Sequence, residues 1–200
     1  MNKIKLGTVA ALMVLTTNAF ADTSEGSYVG IGIGGYSGDV ALSSGAASFT
    51  MGNDSLDFGA TVYGGYKWNM GAGSVAAELS YNSNVGKLAT WTVPGLAVSG
   101  KLTNNWAVSV LPGYNFTKDT TGYVRLGYTQ AKAELTVNAA TASHTFNGTV
   151  WGLGVDQAVS KNLSARLEYQ VMDLSSWTDT TVTTYKPRSA GMNASVRYAF

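Results

Sequence analysis

The sequence predicts an all-β fold, an eight-stranded antiparallel up-and-down β-barrel that spans a membrane. Three observations predict it. Glycine fills 24 of 200 positions and charged residues only 12%, so the chain has few of the Glu and Lys residues that favour helices. Apolar residues recur at every second position in segment after segment, which is typical of strands with two different faces. These apolar faces hold almost no charge, whereas the opposite faces hold glycine and balanced charges.

The first 21 residues are interpreted as a cleavable signal peptide. Lys3 and Lys5 form a short positive region, residues 6–16 are apolar, and Ala-Phe-Ala at 19–21 has the small-x-small pattern of a cleavage site. The apolar stretch is too short for a spanning helix, which needs about 20 residues. We therefore expect export from the cytoplasm and a mature barrel domain over residues 22–200.

Eight segments after the signal peptide alternate between large apolar side chains and small or polar ones. In the first, Val29, Ile31 and Ile33 alternate with glycine, and in the seventh the odd positions from Leu163 to Val171 are apolar. Their length is close to the 9–11 residues that a tilted strand needs to cross a membrane. The segments are residues 27–36, 57–68, 74–82, 106–116, 123–129, 151–156, 163–171 and 191–200. The apolar faces of the other six are, in order, Phe58, Ala60, Val62, Tyr66 and Trp68; Val75, Ala77, Leu79 and Tyr81; Trp106, Val108, Val110, Tyr114 and Phe116; Val124, Leu126 and Tyr128; Trp151, Leu153 and Val155; and Met192, Ala194, Val196, Tyr198 and Phe200.

The connections between the segments alternate in length. Short turns are expected at 69–73, 117–121 and 160–162, and long loops at 37–55, 83–100, 132–143 and 173–187. Short turns on one side and long loops on the other are typical of outer-membrane barrels, whose long loops lie outside the cell.

Alternation alone also fits a soluble barrel with an apolar interior, but the charges favour the opposite orientation. A Lys or Arg facing lipid near the midplane costs about 2–4 kcal/mol. Small barrels of eight strands are filled by side chains, so we expect the charges to form a permanent plug, including Glu78 with Arg125 and Arg166 with Glu168. The predicted lumen charge network is Asp57, Lys67, Glu78, Arg125, Asp156, Arg166, Glu168 and Arg197.

The last segment ends in an alternating apolar triplet, Val196, Tyr198 and Phe200. Here the chain resembles the small outer-membrane β-barrel family, of the OmpA/OmpX-like and opacity-like porin type, over residues 27–200. The resemblance implies the outer membrane of a Gram-negative bacterium, contact with its lipid and lipopolysaccharide, and a C-terminal strand that carries the signal for the barrel-assembly machinery. It implies no ligand residues.

Motifs that carry chemistry are weak. Residues 30–35 have G-x-G-x-x-G spacing, but no helical pattern follows to receive a pyrophosphate, so we expect no dinucleotide cofactor. His144 stands alone, and Ser143 beside it points to the other face of an extended strand. The chain has no cysteine, and the mature part has 11 basic against 12 acidic residues, so thiolate metal sites are excluded and nucleic acid is not expected as a partner.

These observations favour a non-enzymatic surface protein with a filled lumen and four extracellular loops, serving adhesion, envelope integrity or host interaction. Trp91 and Trp177 lie in predicted loops and are candidate contacts for a host or surface ligand, although packing between loops explains them equally well. The alternatives are a small-solute porin, a membrane enzyme that modifies lipid A, and a soluble lipocalin-like barrel.

Overall fold

A computed structural model describes residues 25–44, 47–52, 55–93, 96–137, 140–178 and 183–200. The predicted signal peptide lies outside the described residues. Within these ranges, no helix is long and apolar enough to cross a membrane.

The described residues form ten strands. Two of these continue the line of another strand, so the wall of the barrel has eight strands around it. β2 continues the line of β3 along β1, and β9 continues the line of β8 along β10. The strands are β1 (Gly26–Ser44), β2 (Ala47–Gly52), β3 (Asp57–Met70), β4 (Gly73–Val93), β5 (Leu96–Asn115), β6 (Thr120–Val137), β7 (Ala140–Ala158), β8 (Leu163–Leu174), β9 (Trp177–Thr178) and β10 (Thr183–Ala199).

All neighbouring strands are antiparallel, and the barrel closes between its first and last strands. β1 pairs with β10 from Tyr28 opposite Ala199 to Ser44 opposite Thr183. Closure leaves the wall without the free edges that promote aggregation. The predicted fold class, an eight-stranded antiparallel barrel, is confirmed.

The strands are longer than predicted, because they continue into the four predicted long loops. Much of the predicted loop sequence continues in strands: β4 and β5 reach Val93 and Leu96, and β6 and β7 reach Val137 and Ala140. Thr and Val are frequent in these stretches and favour strands whether or not lipid surrounds them. At about 3.3 Å per residue, a strand such as β4 is far longer than the 25 Å apolar band of an outer-membrane barrel. The barrel therefore has a ribbon end, made of these hairpins, and a turn end with three short connections.

Burial agrees with the predicted inside-out orientation. Ile31 and Phe58 are 68% and 72% exposed, while Glu78 and Arg166 are buried inside. Val171 was expected on the outer face, but it is only 1% exposed. It lies opposite Trp151 in the register, and that larger side chain shares its face.

Three register shifts interrupt the alternation near the ribbon end. One follows Thr103 in β5, where Asn104 has φ 49°, and two follow one another in β4, after Asn84 and after Lys87, around Gly86 with φ 114°. A bulge adds a residue and so reverses which side chains face inward. Leu102, Val85 and Leu88 are consequently buried. The sequence analysis missed the apolar core that they join: Tyr36, Val85, Leu88, Leu102, Ala107, Ala131, Phe146, Val150, Met172 and Leu174.

Residues 83–88 of β4, the cap segment, separate from β3 and turn toward the interior, while Asn84 and Lys87 stay paired with β5. Pairing between β3 and β4 ends at Thr61 opposite Asn82. Beyond that point the carbonyl of Val85 accepts a hydrogen bond from the Ser189 hydroxyl of β10. A Cβ atom on Gly38 of β1 would lie 2.9 Å from the carbonyl oxygen of Lys87. The cap segment thus covers the interior from the ribbon end.

Candidate functional site

Seven charged side chains of the described residues are buried in the barrel interior, and six of them, all except Lys67, form a series that alternates in sign, here called the charge chain. Glu78 lies at its centre, 2.6 Å from Arg125 Nη2 and 2.6 Å from Arg166 Nη1. Because inward positions on β4, β6, β7, β8 and β10 converge on a narrow lumen, residues far apart in sequence meet here. In order across the lumen, the charge chain is Glu168, Arg125, Glu78, Arg166, Asp156 and Arg197.

The outer links of the charge chain are also close. Arg125 Nε lies 2.9 Å from Glu168 Oε1, and Arg166 Nε lies 2.9 Å from Asp156 Oδ1. Arg197 Nη1 completes the series 3.4 Å from Asp156 Oδ2. Three carboxylates balance three guanidinium groups, so the assembled chain is neutral, as burial of charge requires.

Tyrosines enclose this charge chain. The guanidinium carbon of Arg166 lies 4.6 Å from the ring centre of Tyr63 and 5.0 Å from that of Tyr123. The hydroxyl of Tyr28 donates to Glu78 at 2.9 Å, and that of Tyr123 donates to Glu168 at 2.6 Å. These contacts combine cation–π attraction with charge-assisted hydrogen bonds.

Sequence reasoning missed the tyrosines as site residues, although a signal was present. They alternate with glycine on the inward face, and the structure shows why: a Cβ atom on Gly30 would lie 2.2 Å from the Tyr63 ring. A Cβ atom on Gly154 would lie 2.3 Å from the Tyr123 ring. Inward glycines therefore make room for inward tyrosines.

A neutral polar layer separates the charge chain from the apolar core. The Tyr36 hydroxyl donates to Asn82 Oδ1 at 3.2 Å and accepts from Gln170 Nε2 at 3.1 Å. Asn193 donates to the Thr61 hydroxyl at 2.6 Å. Toward the ribbon end the interior thus changes from charged to neutral polar to apolar. A second, smaller apolar cluster lies on the turn-end side of the charge chain: Tyr28, Tyr63, Ala76, Leu111, Tyr123 and Ala199.

Two of the eight predicted network residues lie outside the charge chain. Lys67 is buried and donates to Thr121 at 3.3 Å. Asp57 has the inward parity of Gly59 and Thr61 on β3, but it lies near the ribbon end, where it pairs with Lys87 at 3.1 Å. The predicted pair of Arg166 with Glu168 does not form either. Both project inward from β8, but each reaches a partner on another strand.

A cavity beside the charge chain has a volume of only about 10 Å³, which accommodates one water molecule. It is lined by Tyr36, Glu78, Arg125, Arg166 and Glu168, among others. In the described part of the chain, no three His, Asp or Glu side chains are grouped to hold a metal ion.

The two predicted contact tryptophans have different outcomes. Trp177 lies on β9 and is 42% exposed. Its ring is 5.2 Å from that of His144 and 5.6 Å from that of Tyr185, so His144 belongs to an aromatic row across β7, β9 and β10. Trp91 lies in β4, but its side chain is outside the described residues.

The predicted assembly signal lies on the outer face of β10. Val196, Tyr198 and Phe200 are all exposed, and the last two rings are 5.3 Å apart. The backbone N–H of Phe200 donates to the carbonyl of Ser27 at 3.0 Å, next to the closure between β1 and β10. Similar ring pairs, Tyr66 with Trp68 and Tyr114 with Phe116, stand at the same end of the barrel.

Comparison with known families identifies the barrel. The profile of the family described as outer membrane protein beta-barrel domain matches residues 7–200. The chain belongs to this family. The family implies the outer membrane of a Gram-negative bacterium.

Among solved structures, Neisserial surface protein A (NspA) shares the fold, with a TM-score of 0.55 at 17% identity, over 87% of this chain and 97% of that one. At this identity the similarity shows the fold and not an activity. Ail, the attachment invasion locus protein of Yersinia pestis, matches with a TM-score of 0.47 at 14% identity, over 86% and 99%. The outer-membrane protease OmpT from Escherichia coli matches with a TM-score of 0.44 at 9% identity, over 92% and 100%. Comparison with curated proteins gives no match.

Proposed function

We propose that this chain is a non-enzymatic surface barrel whose sealed interior supports four extracellular β-ribbons, and that the ribbons contact a host or surface ligand in adhesion. The observation that carries the proposal is the filled interior, with its neutral charge chain and a cavity that holds one water molecule. On this proposal, the barrel contributes rigidity and the ribbons contribute recognition.

The energetics of the charge chain favour a permanently closed interior over the open channel of a porin. Opening a path would separate Glu78 from Arg125 or Arg166 in an environment with little water. Leaving a buried charge without its partner costs about 3–5 kcal/mol. The cap segment and the apolar core would have to move as well, because they cover the same path.

The surroundings of His144 support a non-enzymatic reading over a lipid A-modifying enzyme. A hydrolase or acyltransferase needs a base within hydrogen-bond reach of a nucleophile. His144 instead packs against the rings of Phe146 and Trp177, at 4.8 and 5.2 Å. Unchanged lipid A in cells that overproduce the protein is the expected result, and new lipid A species would contradict it.

Conductance tests the sealed interior. We expect the refolded protein in a planar bilayer to give no stable nanosiemens-scale steps. A large-pore outer-membrane porin, reconstituted in the same way, is the positive control. Stable steps of that size from this protein would overturn the plug and favour a small-solute porin.

Adhesion tests the ribbons. Cells of a non-adherent strain would display the native protein or the Trp177→Ala variant, and binding to host cells would be counted. Trp106→Ala is the matched control, because Trp106 is 51% exposed on the lipid-facing belt and Trp177 is 42% exposed on a ribbon. We expect Trp177→Ala to lower adhesion several-fold and Trp106→Ala to leave it unchanged. Native protein that gives no adhesion above the empty strain would refute the proposal.

The predicted assembly signal and the lipid partners belong to the same proposal. Val196, Tyr198 and Phe200 present exposed apolar side chains on the closing strand, which suits recognition by the barrel-assembly machinery. Deleting Phe200 is expected to lower the amount of folded barrel in outer-membrane fractions while the precursor accumulates.

A further inference from the structure

The upper half of β7 has a neighbouring strand on one side only. β6 pairs with β7 along almost its whole length, but pairing with β8 begins only at Gly148. One further hydrogen bond joins the backbone N–H of Ser175 to the carbonyl of Asn147 at 2.7 Å. Above that bond no strand of the described residues pairs with β7 on this side, since β9 pairs with β10. Residues 140–146, beyond the lipid-facing ring of Trp151, thus form a free strand edge, here called the β7 edge.

The β7 edge presents a regular series of backbone groups. In a strand, the N–H and C=O of one residue point to the same side, and those of the next residue point to the other side. Because the carbonyl of Asn147 points toward β8, the N–H and C=O groups of Thr145, Ser143 and Thr141 point the same way. All three residues are exposed, and within the described ranges neither a strand nor a turn supplies a backbone partner for these groups. Donors and acceptors at this spacing match the edge of another extended chain.

The second seam at the ribbon end, between β3 and β4, is closed by side chains. The Ser83 hydroxyl accepts a hydrogen bond from the N–H of Ala60 at 2.9 Å, and Asn84 Nδ2 donates to the carbonyl of Phe58 at 3.4 Å. These bonds replace the strand pairing that is missing there. The β7 edge differs, because its sequence contains neither proline nor Asp, Glu, Lys or Arg, which are the residues that usually block a free edge.

A second copy in the same membrane does not fit the β7 edge. Both copies of β7 would run from the ribbon end to the turn end, so they could not pair as antiparallel strands. Strands of these barrels tilt by about 35–45°, and two adjacent barrels tilt in opposite senses where they touch, so the strands would cross at about 70–90°. A separate extended chain is free to align with the edge.

The side chains beside the β7 edge indicate which sequence would fit. On the inner face, His144 packs against the rings of Phe146 and Trp177 at 4.8 and 5.2 Å, and Trp177 is 42% exposed. On the outer face, Ser143 and Thr145 present hydroxyl groups. Across neighbouring strands, aromatic residues pair well with β-branched ones, and threonine pairs well with threonine or serine. A fitting segment therefore alternates apolar and hydroxyl-bearing residues.

We propose that the β7 edge binds an extended segment of another protein, which adds to the ribbon as one more strand. The backbone of this segment pairs with Thr141, Ser143 and Thr145, and its apolar side chains lie beside His144 and Trp177. The inference rests on the adhesion proposed above, because it names the chemistry of the ligand that the ribbons recognise.

Hydrogen exchange tests the pairing directly. The probe is a short synthetic peptide that alternates valine and threonine, added to the refolded protein in phosphatidylcholine nanodiscs. We expect the amides of Ser143 and Thr145 to exchange several-fold more slowly with the peptide than without it, because backbone pairing protects them. A fully N-methylated peptide of the same sequence has no backbone N–H to donate, and we expect it to give no protection. Equal protection by both peptides, or protection by neither, would overturn the proposal.

A proline variant separates the backbone from the side chain. Ser143→Pro removes one donor of the β7 edge, and this N–H points away from β6, so the barrel keeps its strand pairing. We expect peptide binding to weaken about ten-fold, which is the effect of one lost hydrogen bond. Ser143→Ala is the matched control, because it removes the hydroxyl and keeps the N–H, and we expect unchanged binding. Heat-modifiable gel mobility verifies that both variants are folded. An equal loss in the two variants would contradict pairing through the backbone.

Adhesion of cells that display the same variants separates this inference from the proposed function. We expect Ser143→Pro to lower adhesion several-fold and Ser143→Ala to leave it unchanged. Full adhesion by Ser143→Pro would overturn the inference and leave the adhesive barrel standing. Peptide protection by a native protein that does not adhere would refute adhesion and support the β7 edge. Clustering of vesicles that carry the protein alone, lost in Ser143→Pro, would identify a second copy in an apposed membrane as the occupant and overturn the proposal.

Discussion

Single glycines inside the barrel determine where tyrosine rings fit. The Tyr123 ring lies over Gly154 and cannot withdraw easily, because its hydroxyl is bonded to Glu168 at 2.6 Å. An added methyl group at such a position forces side chains out of low-energy geometry. The side chains inside the barrel therefore fit one another closely in shape, and do not merely fill the available volume.

We expect Gly154→Ala to lower the free energy of unfolding by about 1–3 kcal/mol, since its Cβ would lie 2.3 Å from the Tyr123 ring. Gly64→Ala is the control: its Cβ meets nothing nearer than 3.4 Å. Urea unfolding in lipid vesicles, followed by gel mobility, measures both. Equal losses would mean that glycine acts here through the backbone and not through space for the ring.

Glu78 lies at the centre of the charge chain and makes its two shortest ion pairs, at 2.6 Å to Arg125 and 2.6 Å to Arg166. Glu78→Gln leaves excess positive charge in a buried site, so we expect a loss of about 3 kcal/mol in unfolding free energy. Glu134→Gln, at a carboxylate that pairs with the exposed Lys101 and Lys132, is expected to change stability by less than about 1 kcal/mol. A loss at Glu78 as small as that at Glu134 would contradict a cooperative charge chain.

Most members of the charge chain could be predicted from the sequence, but their pairing could not. Strand parity alone places Glu78, Arg125 and Arg166 inside. Which carboxylate meets which guanidinium depends on strand stagger and on rotamers that reach across the lumen, and neither can be read from alternation. For the same reason Arg166 bonds Glu78 and Asp156 instead of its chain neighbour Glu168.

At the level of elements, β4 departs most from a regular strand. Gly86 has φ 114°, and a Cβ atom there would lie 3.0 Å from the backbone of Ser37. This conformation lets the cap segment bring Val85 and Leu88 into the apolar core. The bulges could not be predicted from the sequence. Residues 83–100 contain no long run of alternating apolar and polar residues, and only in such a run would an added residue be visible as a break in the pattern.

We expect Gly86→Val to destabilise the barrel by about 1–3 kcal/mol, through both backbone strain and contact with β1. Gly71→Ala separates the two causes. Gly71 has φ 68° in a short turn, but nothing lies within 4 Å of a Cβ there, so this variant adds strain without crowding. Its expected cost is about 1 kcal/mol. Hydrogen exchange of Val85 and Leu88 amides should accelerate only in Gly86→Val.

The whole molecule is organised by depth, with an apolar outer band and an interior that changes from charged to apolar toward the ribbon end. The outer band was predictable because lipid enforces strict alternation there. The upper interior was not, because above the membrane the same strands face water outside and a small core inside. That inversion explains why the predicted loops contain strands with buried apolar residues such as Val85, Leu88 and Leu174.

The position of a residue relative to the membrane predicts how much an introduced charge destabilises the barrel in lipid vesicles. Ile31→Lys places a charge on the lipid-facing band and is expected to cost about 2–4 kcal/mol. Thr149→Lys, an exposed position two residues above Trp151, is expected to cost about 0–1 kcal/mol. Equal costs at the two positions would contradict the assigned membrane boundary.

The alternating charges also constrain how the polypeptide enters the bilayer. β4 contributes one anion to the charge chain, while β6 and β10 each contribute one cation, so no single one of these strands is balanced. A hairpin that inserted alone would carry unpaired charges through the hydrocarbon core of the membrane. Insertion must therefore be concerted: the ionic partners are already paired before the strands enter the bilayer together.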